Sequence, residues 1–206
     1  MIIAVDGPTA SGKGTIAKAL AAKYGLPHLD TGLLYRAVGR QVLLNGANPD
    51  SPDDALAACG FTDALLADPE LRSEASGGLA SRVSTHPGVR QALYERQRAF
   101  ATQAGGAVLD GRDIGTVIAP EAEVKLFVIA SVAARAQRRF AEMVAQGRDG
   151  TLAEITADLE LRDRRDRERT AAPLRAATDA VTLDTSALGR EEAVAAAVAI
   201  VDAARR

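Results

Sequence analysis

Tryptophan is absent from this 206-residue chain, cysteine occurs once and histidine twice. The lone Cys59 excludes an intrachain disulfide and any cysteine-based zinc site, and His28 and His86 are too few for a histidine-rich metal centre. No uninterrupted apolar stretch approaches the length of a membrane span. Met1 to Val5 run straight into a glycine loop and are too short for a signal peptide, so the expected location is cytoplasmic, with no membrane partner. A dominant charge is missing too: a net charge of -2 and an isoelectric point near 5.8 give no bulk attraction for nucleic acid. Lysine is scarce, with four residues against 21 arginines.

Apolar residues make up 47% and charged residues 25%, the balance of a folded globular protein. The length suits one domain over 1–206, carrying small subdomains on a common core, and is enough to bury that core without disulfides. Arginine offers a fork that grips phosphates and carboxylates bidentately. GC-rich coding, which the 43 alanines also suit, accounts for the same bias without any function.

Strand and helix patterns alternate. Short apolar runs at 2–5, 26–30, 107–110, 124–129 and 180–183 read as strands. Helical patterns occupy 12–24, 31–44, 89–102, 132–145, 152–169 and 190–205. Residues 45–54 are rich in turn formers, and 55–88 read as irregular, interrupted by Gly60, Pro69, Gly77, Gly78 and Pro87. Such alternation predicts an α/β fold, a five-stranded parallel sheet with helices on both faces, whose ligands bind beyond the carboxyl ends of the strands.

The first strand-to-helix junction reads Gly7-Pro8-Thr9-Ala10-Ser11-Gly12-Lys13-Gly14-Thr15, a G-x-x-x-x-G-K phosphate loop in its required context. Its N–H groups and the helix N-terminus form an anion site, and Lys13 reaches the β and γ phosphates. Gly14 stands where many such loops carry a magnesium-binding hydroxyl, which leaves Thr15 as the candidate. Asp110 ends an apolar strand, as does an acid that orients hydrated Mg²⁺. Arg36 and Arg112 sit at two further strand exits and offer cations to a second phosphate. Within the charged helix, Arg162, Arg165, Asp166 and Arg169 fall on one face, three cations to one acid, as a phosphate-facing lid requires. The i,i+4 pairs of a solvated helix are also present there.

The set DTGLLYR (30–36), HPGVR (86–90), DGRDIGTV (110–117) and RDRRDRERTAAPL (162–174) resembles the bacterial cytidylate kinases, nucleoside monophosphate kinases of the P-loop class, over most of the chain. The resemblance implies a P-loop core with a monophosphate-binding region at 31–104 and a lid at 146–170. It implies transfer of the γ-phosphoryl of ATP, with Mg²⁺, to CMP or dCMP by a monomer. Thr31, Arg36, Arg112 and Arg169 would then hold the monophosphate. Ser81, Arg90 and Asp113 would read the base, and Arg162 and Asp166 would meet the sugar. Lys13 and Arg165, with Arg112 and Arg162, would stabilise the moving charge. Cytosine suits that base set: a carboxylate accepts from its amino group, and an arginine and a hydroxyl serve N3 and O2. Residues 58–71 are too short and too poor in strand formers for the small β-rich insert that members of the family often carry. Another small-molecule P-loop kinase and a non-catalytic nucleotide-binding module are the alternative readings.

Overall fold

A computed structural model describes residues 1–205. Five strands, β1 (Ile2–Asp6), β2 (His28–Asp30), β3 (Ala107–Gly111), β4 (Val124–Ile129) and β5 (Val181–Asp184), form one parallel sheet in the order β2-β3-β1-β4-β5. Eight α-helices accompany them among the described residues: α1 (Lys13–Tyr24), α2 (Thr31–Leu44), α3 (Pro52–Ala57), α4 (Glu74–Val83), α5 (Pro87–Ala101), α6 (Val132–Ala145), α7 (Leu152–Glu168) and α8 (Arg190–Ala204).

Strand periodicity decides the two faces of the sheet. Ile3 and Val5 of β1 point into a cluster with Ile16 and Leu20 of α1 and Val201 of α8. Ala4, between them, faces the opposite cluster with Leu109, Ile114 and Ala101 of α5. A third cluster gathers Leu34 and Val38 of α2, Val83 of α4 and Val89 and Leu93 of α5, giving the segment between β2 and β3 a core of its own. Because all strands are parallel, their carboxyl ends share one edge. The register there sets Asp6 beside Gly111 and Asp30 beside Asp110.

The sequence expectations and the structure part between residues 45 and 88. Helix α3 begins inside the stretch read as turns: Ser51 accepts the N–H of Asp54, and Pro52 occupies the first turn. Helix α4 contains Gly77 and Gly78, which read as breakers. Tertiary contact overrides propensity here. A Cβ at Gly39 would lie 2.6 Å from Leu79 Cβ, so α2 and α4 meet nearly backbone to backbone. Residues 58–72 form three short 3-10 turns and no strand. Strand β2 starts at His28, because Pro27 has no N–H and contributes only its carbonyl, which accepts from Val108 at 2.9 Å. Among the described residues no helix is long and apolar enough to cross a membrane.

Candidate functional site

The loop between β1 and α1 has the backbone a phosphate cradle needs. Gly12 has φ 92° and Gly7 φ 156°, and a Cβ at Gly7 would lie 2.1 Å from the Val128 carbonyl oxygen. Gly12 offers no side-chain cap, so the first N–H groups of α1 face the loop. Two loop carbonyls are tied to the scaffold: Thr9 O accepts from Arg135 at 3.1 Å, and Ser11 O from Thr185 Oγ1 at 2.9 Å.

Cavities open on either side of this loop. One, of about 640 Å³, is lined by Ser11, Gly12, Thr15 and Lys18 of the loop and α1, by Arg138 of α6, and by Leu188 to Arg190. The other, of about 220 Å³, lies over the carboxyl ends of β2 and β3 and under α4 and α7. Ala10, Lys13, Gly14 and Arg139 border both. Gly7 and Pro8 line neither and serve the loop from below.

All nine residues expected at the acceptor line the smaller cavity. Thr31, at the start of α2, donates to Asp110 O at 2.8 Å. Arg36, one turn on, donates to Leu71 O and Ser73 O at 2.8 and 2.9 Å and so fixes the turn before α4. Arg112 bridges the two halves of the site: its Nε donates to Asp166 of α7 at 2.8 Å and its Nη2 to Thr9 at 2.6 Å. Arg90 of α5 forms an ion pair with Asp113 and stacks its guanidinium 5.5 Å from the centroid of the Tyr35 ring. Ser81 of α4 accepts from Arg165 at 2.9 Å. Of the three arginines expected on the lid's phosphate-facing side, Arg165 alone does not line the cavity and instead grips Ser81.

Seven cations border this cavity against four carboxylates. Their protonation reflects crowding without enough counter-charge. Desolvation pulls Arg162 down to about 10, with Arg112 and Arg139 adding to the shift. Arg36 and Arg169 are also lowered by desolvation. Arg112 is raised instead: burial lowers it most, but Asp166, Asp110 and Asp30 together outweigh that, and Asp166 is held below its usual range by the same pairing. Arg162 Nη1 and Arg169 Nη2 are buried and donate to nothing. Desolvation and the nearby Arg112 bring Lys13 down to about 8. An anion with several acceptor oxygens satisfies all of these groups at once.

The structure adds residues that the sequence did not single out. Arg139, the second of an arginine pair midway along α6, borders both cavities and pairs with Glu74 of α4. Gly77 has a packing reason: a Cβ there would lie 3.1–3.2 Å from the guanidinium nitrogens of Arg162 and Arg36. Asp30 shares a register position with Asp110 and lines the same cavity. The motif around Asp30 was visible, but its pairing with Asp110 depends on strand order.

No cluster of three or more His, Cys, Asp or Glu suited to a metal ion occurs among the described residues. That donor set fits Mg²⁺ arriving with a nucleotide, since this ion keeps several waters and takes one or two carboxylates plus phosphate oxygens. Asp110 Oδ1 accepts from His28 Nε2 at 2.8 Å, while Oδ2 lies 3.6 Å from where a Cβ at Gly14 would stand. Thr15 lines the larger cavity, and Asp110 the smaller.

A profile of the cytidylate kinase family matches residues 3–203. Curated relatives named cytidylate kinase include that of Xanthobacter autotrophicus, 57% identical over 206 residues, spanning 100% of this chain and 99% of the relative. That of Azorhizobium caulinodans is 55% identical and spans 100% of both chains. That of Rhodopseudomonas palustris strain HaA2 is 53% identical, spanning 100% and 97%. Among solved structures, an uncharacterized protein from Eubacterium ventriosum is similar in fold, with a TM-score of 0.55 at 17% identity over 100% of this chain and 98% of that one.

Proposed function

The chain belongs to the cytidylate kinase family, and from that premise we propose how its residues divide the work. The enzyme transfers the γ-phosphoryl group of ATP to CMP or dCMP, giving CDP or dCDP and ADP. The observation that carries the division of labour is the smaller cavity: a ring of arginines with unpaired donors, opening onto the phosphate loop beside an Arg90–Asp113 pair.

In this reading the larger cavity takes ATP, with its phosphates on the N–H groups of residues 10–15. The smaller takes the acceptor, with its monophosphate among Arg36, Arg112, Arg162 and Arg169 and its base toward Asp113, Arg90 and Ser81. The cytosine amino group donates to Asp113, and Arg90 donates to N3 and O2. Thr31 donates to Asp110 O and reaches the phosphate by turning that proton to it. Asp166 holds Arg112 with Oδ2 and keeps Oδ1 for a ribose hydroxyl.

The acceptor phosphate oxygen is already a nucleophile, so no strong general base is required. It forms a bond to the γ-phosphorus as the bond to the β,γ-bridging oxygen breaks, and the negative charge passes to ADP. Lys13, Gly14 and Arg139 border both cavities and follow that charge across. Arg165 joins them on leaving Ser81. Mg²⁺, held through Asp110 and Thr15 with the phosphates of ATP, would neutralise the β and γ oxygens. Both cavities are lined by residues of one chain, which supports a monomer as the working unit.

The test is ADP release with CMP, dCMP, UMP and AMP as acceptors. UMP sets a carbonyl against Asp113, a mismatch worth about 1–3 kcal/mol, so kcat/KM for CMP should exceed that for UMP by roughly ten- to a hundredfold. Preference for AMP, or ADP release independent of any acceptor, would overturn the assignment.

A further inference from the structure

Asp6 ends β1 at the entrance to the phosphate loop, is buried, and lines neither cavity. Its two carboxylate oxygens accept the N–H groups of Ile114 and Gly115, each at 2.8 Å. Those groups open the π-helical turn Ile114–Ile118, in which Val117 and Ile118 donate back to Asp113 O and Ala119 to Ile114 O. The first N–H groups of such a turn have no partner within it. The side chain of the residue just before the turn ordinarily supplies one, and aspartate is among the best at doing so. That residue is Asp113, yet its carboxylate makes no such bond and is turned to Arg90.

We propose that Asp6 is a specificity-positioning residue: it caps the turn in place of Asp113, which frees the Asp113 carboxylate for the acceptor base and fixes where it stands. The inference rests on the base-reading role proposed for Asp113. Three observations support it. The bonds use both oxygens and two successive N–H groups, so they set the direction of the 113–115 backbone as well as its distance. A Cβ at Gly115 would lie 3.2–3.3 Å from Lys125 and 3.5 Å from Asp6 Oδ2, so the glycine permits the close seating. Burial also drives the Asp6 carboxyl up to about 7 against the pull of the two N–H groups, so an acid is kept where desolvation opposes it. Asp6 thereby joins the donor loop to the acceptor's base pocket through a single side chain.

Asp6→Asn preserves shape but leaves one acceptor, and its amide NH₂ opposes the second N–H. Asp113 is then free to fall back onto its own turn. The expected result is a rise in KM for CMP and a fall of about fivefold or more in the CMP:UMP ratio of kcat/KM, with KM for ATP within about twofold of the parent. An unchanged ratio, or an effect confined to KM for ATP, overturns the proposal. Asp113→Asn is measured beside it. If that variant leaves the ratio unchanged, the base reading itself fails and this inference with it. If it lowers the ratio while Asp6→Asn does not, only the role of Asp6 fails. Should Asp6→Asn not fold, Gly115→Ala crowds the same seat while keeping the acid, and the same loss of CMP preference is expected. An unaltered ratio in Gly115→Ala then overturns the proposal.

Discussion

Lys13 sits where the two cavities meet, and its ammonium is held at about 8 by desolvation and by Arg112. Protonated Lys13 is the form that binds ATP, so kcat/KM for ATP should fall as pH rises through about 8 in the free enzyme. Bound phosphates favour the charged form, so the same limb in kcat should lie at higher pH. Lys13→Arg should abolish the limb, and pH profiles of the two variants decide it. Lys13→Ala should lower kcat about a hundredfold, roughly 3 kcal/mol, while KM for CMP changes little. At Asp166 the expected effect is compound. Its Oδ2 holds Arg112, so Asp166→Ala should impair CMP and dCMP alike, with a further loss for CMP, whose 2′-OH loses its acceptor. Equal damage to both substrates, measured as kcat/KM, would confine Asp166 to holding Arg112.

Helices α6 and α7 are locked together from inside. Arg135 of α6 is 1% exposed and donates to Asp163 of α7 at 3.0 and 2.6 Å, to Ala130 O at 3.0 Å and to Thr9 O at 3.1 Å. Arg135→Met leaves Asp163 buried, with only the exposed Arg167 within 4 Å. It should cost about 3–5 kcal/mol in urea unfolding, and the double variant with Asp163→Leu should recover much of that. Helix α4 poses the opposite trade. Gly77→Ala should stabilise the helix by up to about 1 kcal/mol while pushing Arg36 and Arg162 outward. A higher melting temperature with KM for CMP raised severalfold is the expected pair of results. Unchanged KM would mean the two guanidiniums adjust freely. Gly77 shows what the sequence hides at this scale. Its lack of a side chain reads as a break in the helix, whereas here it makes room for two arginines that arrive from α2 and α7.

Across the whole molecule, the loops after β1, β2, β3 and β5 contribute to the two cavities, and four residues, Ala10, Lys13, Gly14 and Arg139, border both. Occupancy of the two sites should therefore be coupled. CMP and a non-hydrolysable ATP analogue, each at about 100 times its Kd, should stabilise the fold by roughly 2.7 kcal/mol apiece, or about 5–10 °C. Together they should exceed the sum of the two shifts in a thermal melt. A strictly additive result would separate the sites energetically despite their shared lining.

The phosphate loop and the strand–helix alternation of the parallel sheet were legible in the sequence by itself, because each is a local pattern that survives without its neighbours, and the nine residues named from the family resemblance line one cavity. The charged face of α7 is an example. Helical spacing sets Arg162 and Asp166 on one side, with Arg169 just past the helix end, and all three line the cavity, whereas Arg165 on the same face grips Ser81. Tertiary structure alone decided which groups complete them. Arg139 and Glu74 lie 65 residues apart, and Asp6 and Gly115 109 apart. Asp30 faces Asp110 only because the strand order is β2-β3-β1-β4-β5. The same holds for α4, whose glycines are unfavourable in an isolated helix and become favourable where α2 and two arginines press against them. Propensity and spacing act over a few residues. Desolvation, ion pairing and close backbone approach depend on what the fold brings together, and in this protein they set which acid caps the turn at 114–118 and which one pairs with Arg90.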